Sequence, residues 1–175
     1  MSALELDDAK KHLGITGATF DAQLQEFIDS AEAAIASKCG PLAATATTDQ
    51  VSASCGVMML PTCPVLSLTS VTPVDGGAAL TVGDLQLDGT PGIVRGVPTG
   101  RYTVVYSAGR ASVPADLLMA VKELVRHLWD TQRGPARRPG STVSDATSNT
   151  IPGAAYMMPF RVAELIAPHM QPGFA

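Results

Sequence analysis

The chain has 175 residues, of which 46% are hydrophobic, 5% aromatic and 16% charged, and it carries a net charge of −4 with a pI near 5.2. That length suits one domain, or a helical core with a smaller module inserted, and the acidic balance excludes a sequence-wide basic footprint for nucleic acid. No window reaches the ~20 uninterrupted apolar residues of a membrane span.

The opening "MSALELDDAKKHL" is acidic and amphipathic, without the basic start and apolar run of a secretory signal, which points to folding in the cytoplasm. Residues 7–13 predict a short helix: Asp7 and Asp8 suit its positive end and Gly14 stops it. A longer helix follows over 20–39, capped by Thr19. Its apolar set Phe20, Leu24, Phe27, Ile28, Ala31 and Ile35 steps by three and four, and Gly40 with Pro41 ends it.

From about 46 to 107 the period changes. "VMMLP", "PVLSLTSVT", "LTVGDLQL", "GIVRG" and "RYTVVYS" are short, rich in β-branched residues and separated by Gly, Pro and Asp. "DGG" at 75–77 and "DGTPG" at 88–92 carry the chemistry of tight turns. An antiparallel sheet of four to six strands, inserted between helices, is expected.

"SAGRASVP" then turns the chain into a helix over 114–133, with Pro114 at its first position and Asp116 in its first turn. Leu117, Leu118, Val121, Leu124, Val125, Leu128 and Trp129 share one arc of that helix, while Lys122, Glu123, Arg126, Asp130 and Arg133 lie opposite. Met119 sits in the middle of the polar side. A lone exposed Met is ordinary, and it is also what a subunit contact looks like. Residues 135–150 are small, polar and aperiodic, so a flexible loop is expected. A short helix started by Pro159 and halted by Pro168 closes the pattern and needs something to dock on. The fold class is therefore α+β: a helical core with an inserted antiparallel sheet and a short C-terminal helix, read as a single domain over 1–175.

Searches for chemistry fail. His12, His127 and His169 are far apart and lack the spacing that puts two ligands on one helix face. His127 reads as a hydrogen-bonded boundary histidine. Cys39, Cys55 and Cys63 are odd in number without Cys-x-x-Cys spacing, so buried thiols are expected. There is no Gly-x-Ser-x-Gly elbow, and "SAGRASVP" has too few glycines and no lysine for a phosphate cradle. No catalytic group, cofactor or metal is expected. "RGPARRPG" is one small basic cluster without aromatic residues, suited at most to passing contact with a phosphate backbone.

Charge is unevenly spread. Residues 1–32 hold seven acids and two lysines, net −5, whereas residues 95–138 hold eight basic residues and three acids, net +5. The plainer expectation is that these regions pair within one chain. The sharper one is that an acidic face of one subunit meets a basic face of the next, a heterologous contact that closes into a ring when the rotation permits. The pairs Met58–Met59 and Met157–Met158 suit either core filling or adaptable contacts.

Three blocks, "LDDAKKHLGI…FDAQLQEFIDSAEAAIASKCG", "CPVLSLTSVTPVDG…GRYTVVYSAGRASVPADLLMAVKELVRHLWDTQRG" and "MMPFRVAELIAP", resemble in order the head–tail connector (adaptor) proteins of tailed bacteriophages. The resemblance covers roughly 4–134 and 156–168, and residues 135–150 match nothing in it. It implies a structural virion protein made in the bacterial host cytoplasm and located in the neck, with no active site. It implies a homo-oligomeric ring, commonly of twelve copies, docked on the portal protein, continuing the DNA channel and offering a platform to the next neck or tail component. Helices 20–39 and 114–133 would form the subunit core, with 1–18 and 156–170 reaching the portal or a neighbour. The candidate interface residues are Met119, Arg126, Arg133, Tyr156, Met157, Met158, Phe160, Arg161 and Leu165. The alternatives are another neck component (a stopper or tail terminator), a small enzyme using Cys63 or His127, and a DNA-binding regulator.

Overall fold

The computed structural model describes residues 2–133 and 158–170. Two compact units emerge: residues 36–113, and residues 2–35 together with the part of the chain from Pro114 to His169. The expected α+β architecture is observed, with four helices and one antiparallel sheet among the described residues.

In the helical unit, α1 spans Leu6–Leu13 and α2 spans Asp21–Cys39, its last four residues belonging to the sheet unit. Gly14 ends α1 at φ 69°, and the N–H of Ile15 reaches back to Lys10 O at 3.0 Å, the paired closure that a left-handed residue permits. α3 spans Ala115–Arg133. Pro114 lies just before the helix rather than inside it, where its carbonyl accepts the first helical bond from Leu118 N–H at 3.0 Å. α4 spans Phe160–Ile166 and runs into a 3-10 turn at Ala167–His169. The expected stripes are the buried ones: Leu24, Phe27, Ile28, Ala31 and Ile35 on α2, and Leu117, Val121, Leu124 and Val125 on α3. Trp129 is half-buried and meets Phe20 and Phe27 edge-on, with ring centroids 5.5 Å and 6.3 Å apart.

In the sheet unit six strands occur in the order β3-β6-β1-β2-β5-β4: β1 Thr45–Ser54, β2 Val57–Met59, β3 Val65–Pro73, β4 Gln86–Asp88, β5 Ile93–Arg95 and β6 Gly100–Ala108. All neighbours are antiparallel. The sheet curls until its ends approach: Val65 N–H donates to Gly89 O at 2.7 Å, and Leu80 bridges to Val71. The inward side is a core containing Met58, Val65, Val71, Val94, Val104 and Tyr106. "LTVGDLQL" becomes a 3-10 turn at Val82–Asp84 followed by the three residues of β4, not one continuous strand.

Local chemistry fixes the joints. β1 and β2 are joined by Cys55 and Gly56, at φ 54° and 79°, the two positive values that a tight hairpin of the right twist requires. After β6, Gly109 sits at φ 110°, and a Cβ there would lie 2.1 Å from the carbonyl oxygen of Ala43. Only glycine fits. The next residue, Arg110, donates from its guanidinium to Cys39 O and Pro41 O, both at 3.1 Å, covering carbonyls left open where α2 ends. The strand-to-helix corner is a mechanical joint.

Candidate assembly surface

Buried groups come first, because they limit what chemistry is available. Burial pushes the thiols of Cys39 and Cys63 up, with Arg110 and Lys38 partly opposing this at Cys39, so both stay protonated and weakly nucleophilic. Cys55 departs from the expectation of buried thiols: its turn position leaves it exposed. None of the three forms a disulfide. Tyr106, in the sheet core, donates to Asp49 Oδ2 at 2.5 Å and accepts from Thr62 N–H at 3.3 Å. Burial first, then the bond to Asp49, raises its pKa and holds it as a phenol. His127 is half-buried with an enclosed Nε2 that has no hydrogen-bond partner, which departs from the expected hydrogen-bonded histidine; His12 Nε2 is the same. No group of three potential ligands could hold a metal among the described residues.

The surface of the helical unit is more informative. α4 buries Val162 and Ile166 and packs on α3. An ion pair and a hydrogen bond frame that contact: Arg161 Nη1 lies 3.7 Å from Glu123, and His169 Nε2 lies 2.6 Å from Asp116 Oδ2. Residue 161 meets 123 and residue 169 meets 116, so α4 runs back antiparallel to α3. The His169 contact, above all, lowers the pKa of Asp116, aided by the backbone N–H of Leu117. On α2, Glu32 Oε1 accepts from Ser2 Oγ at 2.7 Å, Ala3 N–H at 2.8 Å and Leu4 N–H at 2.9 Å, which pins the segment that buries Leu4.

The candidate interface residues divide accordingly. Phe160 is 78% exposed at the start of α4, an unusual position for a large apolar ring, and Met119 is 38% exposed on α3. Arg126 is exposed and lies 3.9 Å from Asp130 on its own helix. Arg161 is exposed beside its ion pair, while Met158 and Leu165 are half-buried. The side chain of Arg133, with Tyr156, Met157 and the expected loop at 135–150, lies outside the described residues. Leu66, Val74 and Met170 are exposed apolar residues that sequence reasoning did not single out. The Met58–Met59 pair splits: Met58 is core and Met59 is surface, as alternation along β2 dictates.

The expected pairing of the acidic and basic regions within one chain is not observed among the described residues. Lys10 pairs with Asp21 at 2.7 Å and Lys11 with Asp8 at 3.3 Å, inside the acidic region; Arg126 pairs only with Asp130.

Among the described residues, the features that stand out are buried thiols held protonated and apolar side chains left exposed on the helices and strands. The model of the head completion protein family matches residues 3–159, and the chain belongs to that family, whose members are structural proteins. No curated protein matches it in sequence. Among solved structures it is similar to a chain in the neck of an empty gene transfer agent particle computed with C6 symmetry, with TM-score 0.69 and 22% identity over 99% of this chain and 92% of that one. A chain in the virion of a native gene transfer agent particle gives TM-score 0.68 and 23% identity over 99% and 92%. One in the neck of a native particle computed with C12 symmetry gives 0.67 and 21% over 99% and 91%. These likenesses concern the fold.

Proposed function

We infer that this chain is a neck protein of a phage-like particle, assembled as a ring of twelve copies between head and tail. The ring docks on the portal, continues the DNA channel and offers a platform to the next neck or tail component. The observation that carries this reading is fold likeness across 99% of the chain to a neck chain in a particle computed with C12 symmetry, joined to membership of the head completion family. Among the described residues Glu26, Asp29 and Arg126 are exposed and no ion pair joins the acidic region to the basic one, which supports it too because such charges are available to a neighbour.

Phe160, Arg161, Leu165 and Met158 form the candidate portal-facing group, with Met119 and Arg126 towards a neighbouring copy. Duplex passing through such a ring meets a protein of net charge −4, and this adheres weakly to phosphate and lets DNA slide. Negative-stain microscopy of the protein mixed with purified portal rings tests the assignment. A second ring stacked on the portal is expected. No binding to the portal, or absence of the protein from the necks of intact particles, overturns it.

A further inference from the structure

We propose which faces of two neighbouring copies meet: the α3 stripe of Ala115, Met119, Lys122 and Arg126 seats on the α2 stripe of the next copy. That second stripe is Ala22, Glu26, Asp29, Ser30 and Ala33. The inference rests on the ring reading above and adds the contact that builds the ring.

Helix geometry defines both stripes. At about 100° per residue, the α2 set falls within an arc of roughly 100° and the α3 set within roughly 60°. All five α2 residues are exposed, as are Ala115, Met119 and Arg126, with Lys122 half-buried. The α2 stripe is acidic and otherwise small. Gln25 Nε2 donates to Asp29 at 2.9 Å and holds that carboxylate on the face, while Ala22, Ser30 and Ala33 leave shallow ground beside it. The α3 stripe is the complement, a flexible apolar side chain between two cations. Met119 suits a shallow apolar seat because its unbranched thioether adapts to irregular gaps.

The charges have no better claim on them inside the chain. Among the described residues Lys122 and Glu26 form no ion pair, and Arg126 has only the long contact to Asp130 on its own helix. The two faces differ in sign and in relief, so a copy cannot pair either face with itself. Each must find the other face on a different copy, which gives a head-to-tail contact of the kind that closes a ring. Opposed like charges exclude the wrong orientations.

Charge reversal tests this. One full-length variant carries Lys122→Glu and Arg126→Glu; a second carries Glu26→Lys and Asp29→Lys; a third carries all four changes. Ring formation is followed by analytical ultracentrifugation and microscopy, alone and on portal rings, with circular dichroism melts as the folding control. The first two variants should each assemble at least about ten-fold less than the parent at equal concentration, since both meeting faces then share a sign. Mixing them should restore rings with the two variants alternating, and the third variant should assemble alone. If a reversal unfolds the chain, the neutral pair Lys122→Gln with Arg126→Gln replaces it, with a smaller fall of the same direction expected. Parent rings with unaffected variants, or no restoration in the mixture, overturn this contact and leave the ring reading standing. A parent that forms no ring even on the portal overturns both.

Discussion

The two units of this chain solve the same problem with different materials. Residues 36–113 carry four basic and four acidic side chains and are held by backbone crossing backbone: Gly109 against Ala43, Gly89 against Val65, Gly92 against Leu60. The helical unit carries twelve acidic and eight basic side chains and is held by side chains, through buried stripes, an edge-on aromatic group and polar contacts between α3 and α4. A frame fixed by main-chain geometry tolerates little change at its joints but leaves its surface free. A unit fixed by side-chain stripes loosens in pieces, and it is where most of the charged side chains lie. The lesson is a division of labour between a rigid part and an adjustable one.

Gly109→Ala should separate the two most sharply. Its Cβ would strike a main-chain oxygen in a backbone region that L side chains avoid, so a loss of about 4 kcal/mol or more is expected, read by urea denaturation. A loss under about 1 kcal/mol would show that the frame bends. Ile166→Ala removes a fully buried side chain and should cost about 3 kcal/mol, but locally. Hydrogen exchange should show α4 and the first turns of α3 exposed while β1 and β6 keep their protection; a uniform loss would mean the helical unit is as cooperative as the sheet.

Tyr106→Phe strips Asp49 and Thr62 of their buried partner and should cost about 2 kcal/mol by thermal melt. Cys55→Asn should act in the opposite direction, gaining about 1 kcal/mol, because Asn accepts the left-handed conformation that Cys55 is forced to adopt. The smallest effect is on acidification. The folded pKa of Asp116 is depressed, so its contact with His169 contributes fully above the ordinary carboxylate range and is lost as pH falls through the lowered value. Protease sensitivity after His169 should rise there, and His169→Gln should weaken that pH dependence, leaving the part due to the Leu117 N–H.

The helices were legible because their information is periodic. The stripes on α2 and α3, the Gly14 stop and the Gly40–Pro41 stop all express steric or apolar rules that act within a few residues. β1 was harder to see, although it is the longest strand. Its sequence "TATTDQVSAS" turns Thr47, Asp49, Val51 and Ala53 inward, a weakly apolar row accepted because Tyr106 supplies the bulk and the partner for Asp49. That compensation lies 57 residues away. The tight hairpin at Cys55–Gly56 was hidden for a related reason, since sheet pairing imposed on cysteine a conformation it does not prefer. On the candidate surface, Met119 was readable as an apolar residue out of phase with its stripe, whereas Phe160 read as part of the apolar set of its short helix and proves exposed. Met59 could not be given a face from the three residues of β2, Leu66 sits where register shifts in β3 break the alternation, and Val74 lies just past that strand's end.

The crossing of Gly109 over Ala43 has a consequence for how such a chain changes through time. A side chain gained at 109 is intolerable until the segment at 43–44 has already been rebuilt, and a rebuilt 43–44 moves the carbonyls that Arg110 grasps. Positions 39 to 44 and 109 to 110 are therefore inherited as one block. Lineages of this fold should diverge around that corner and seldom through it.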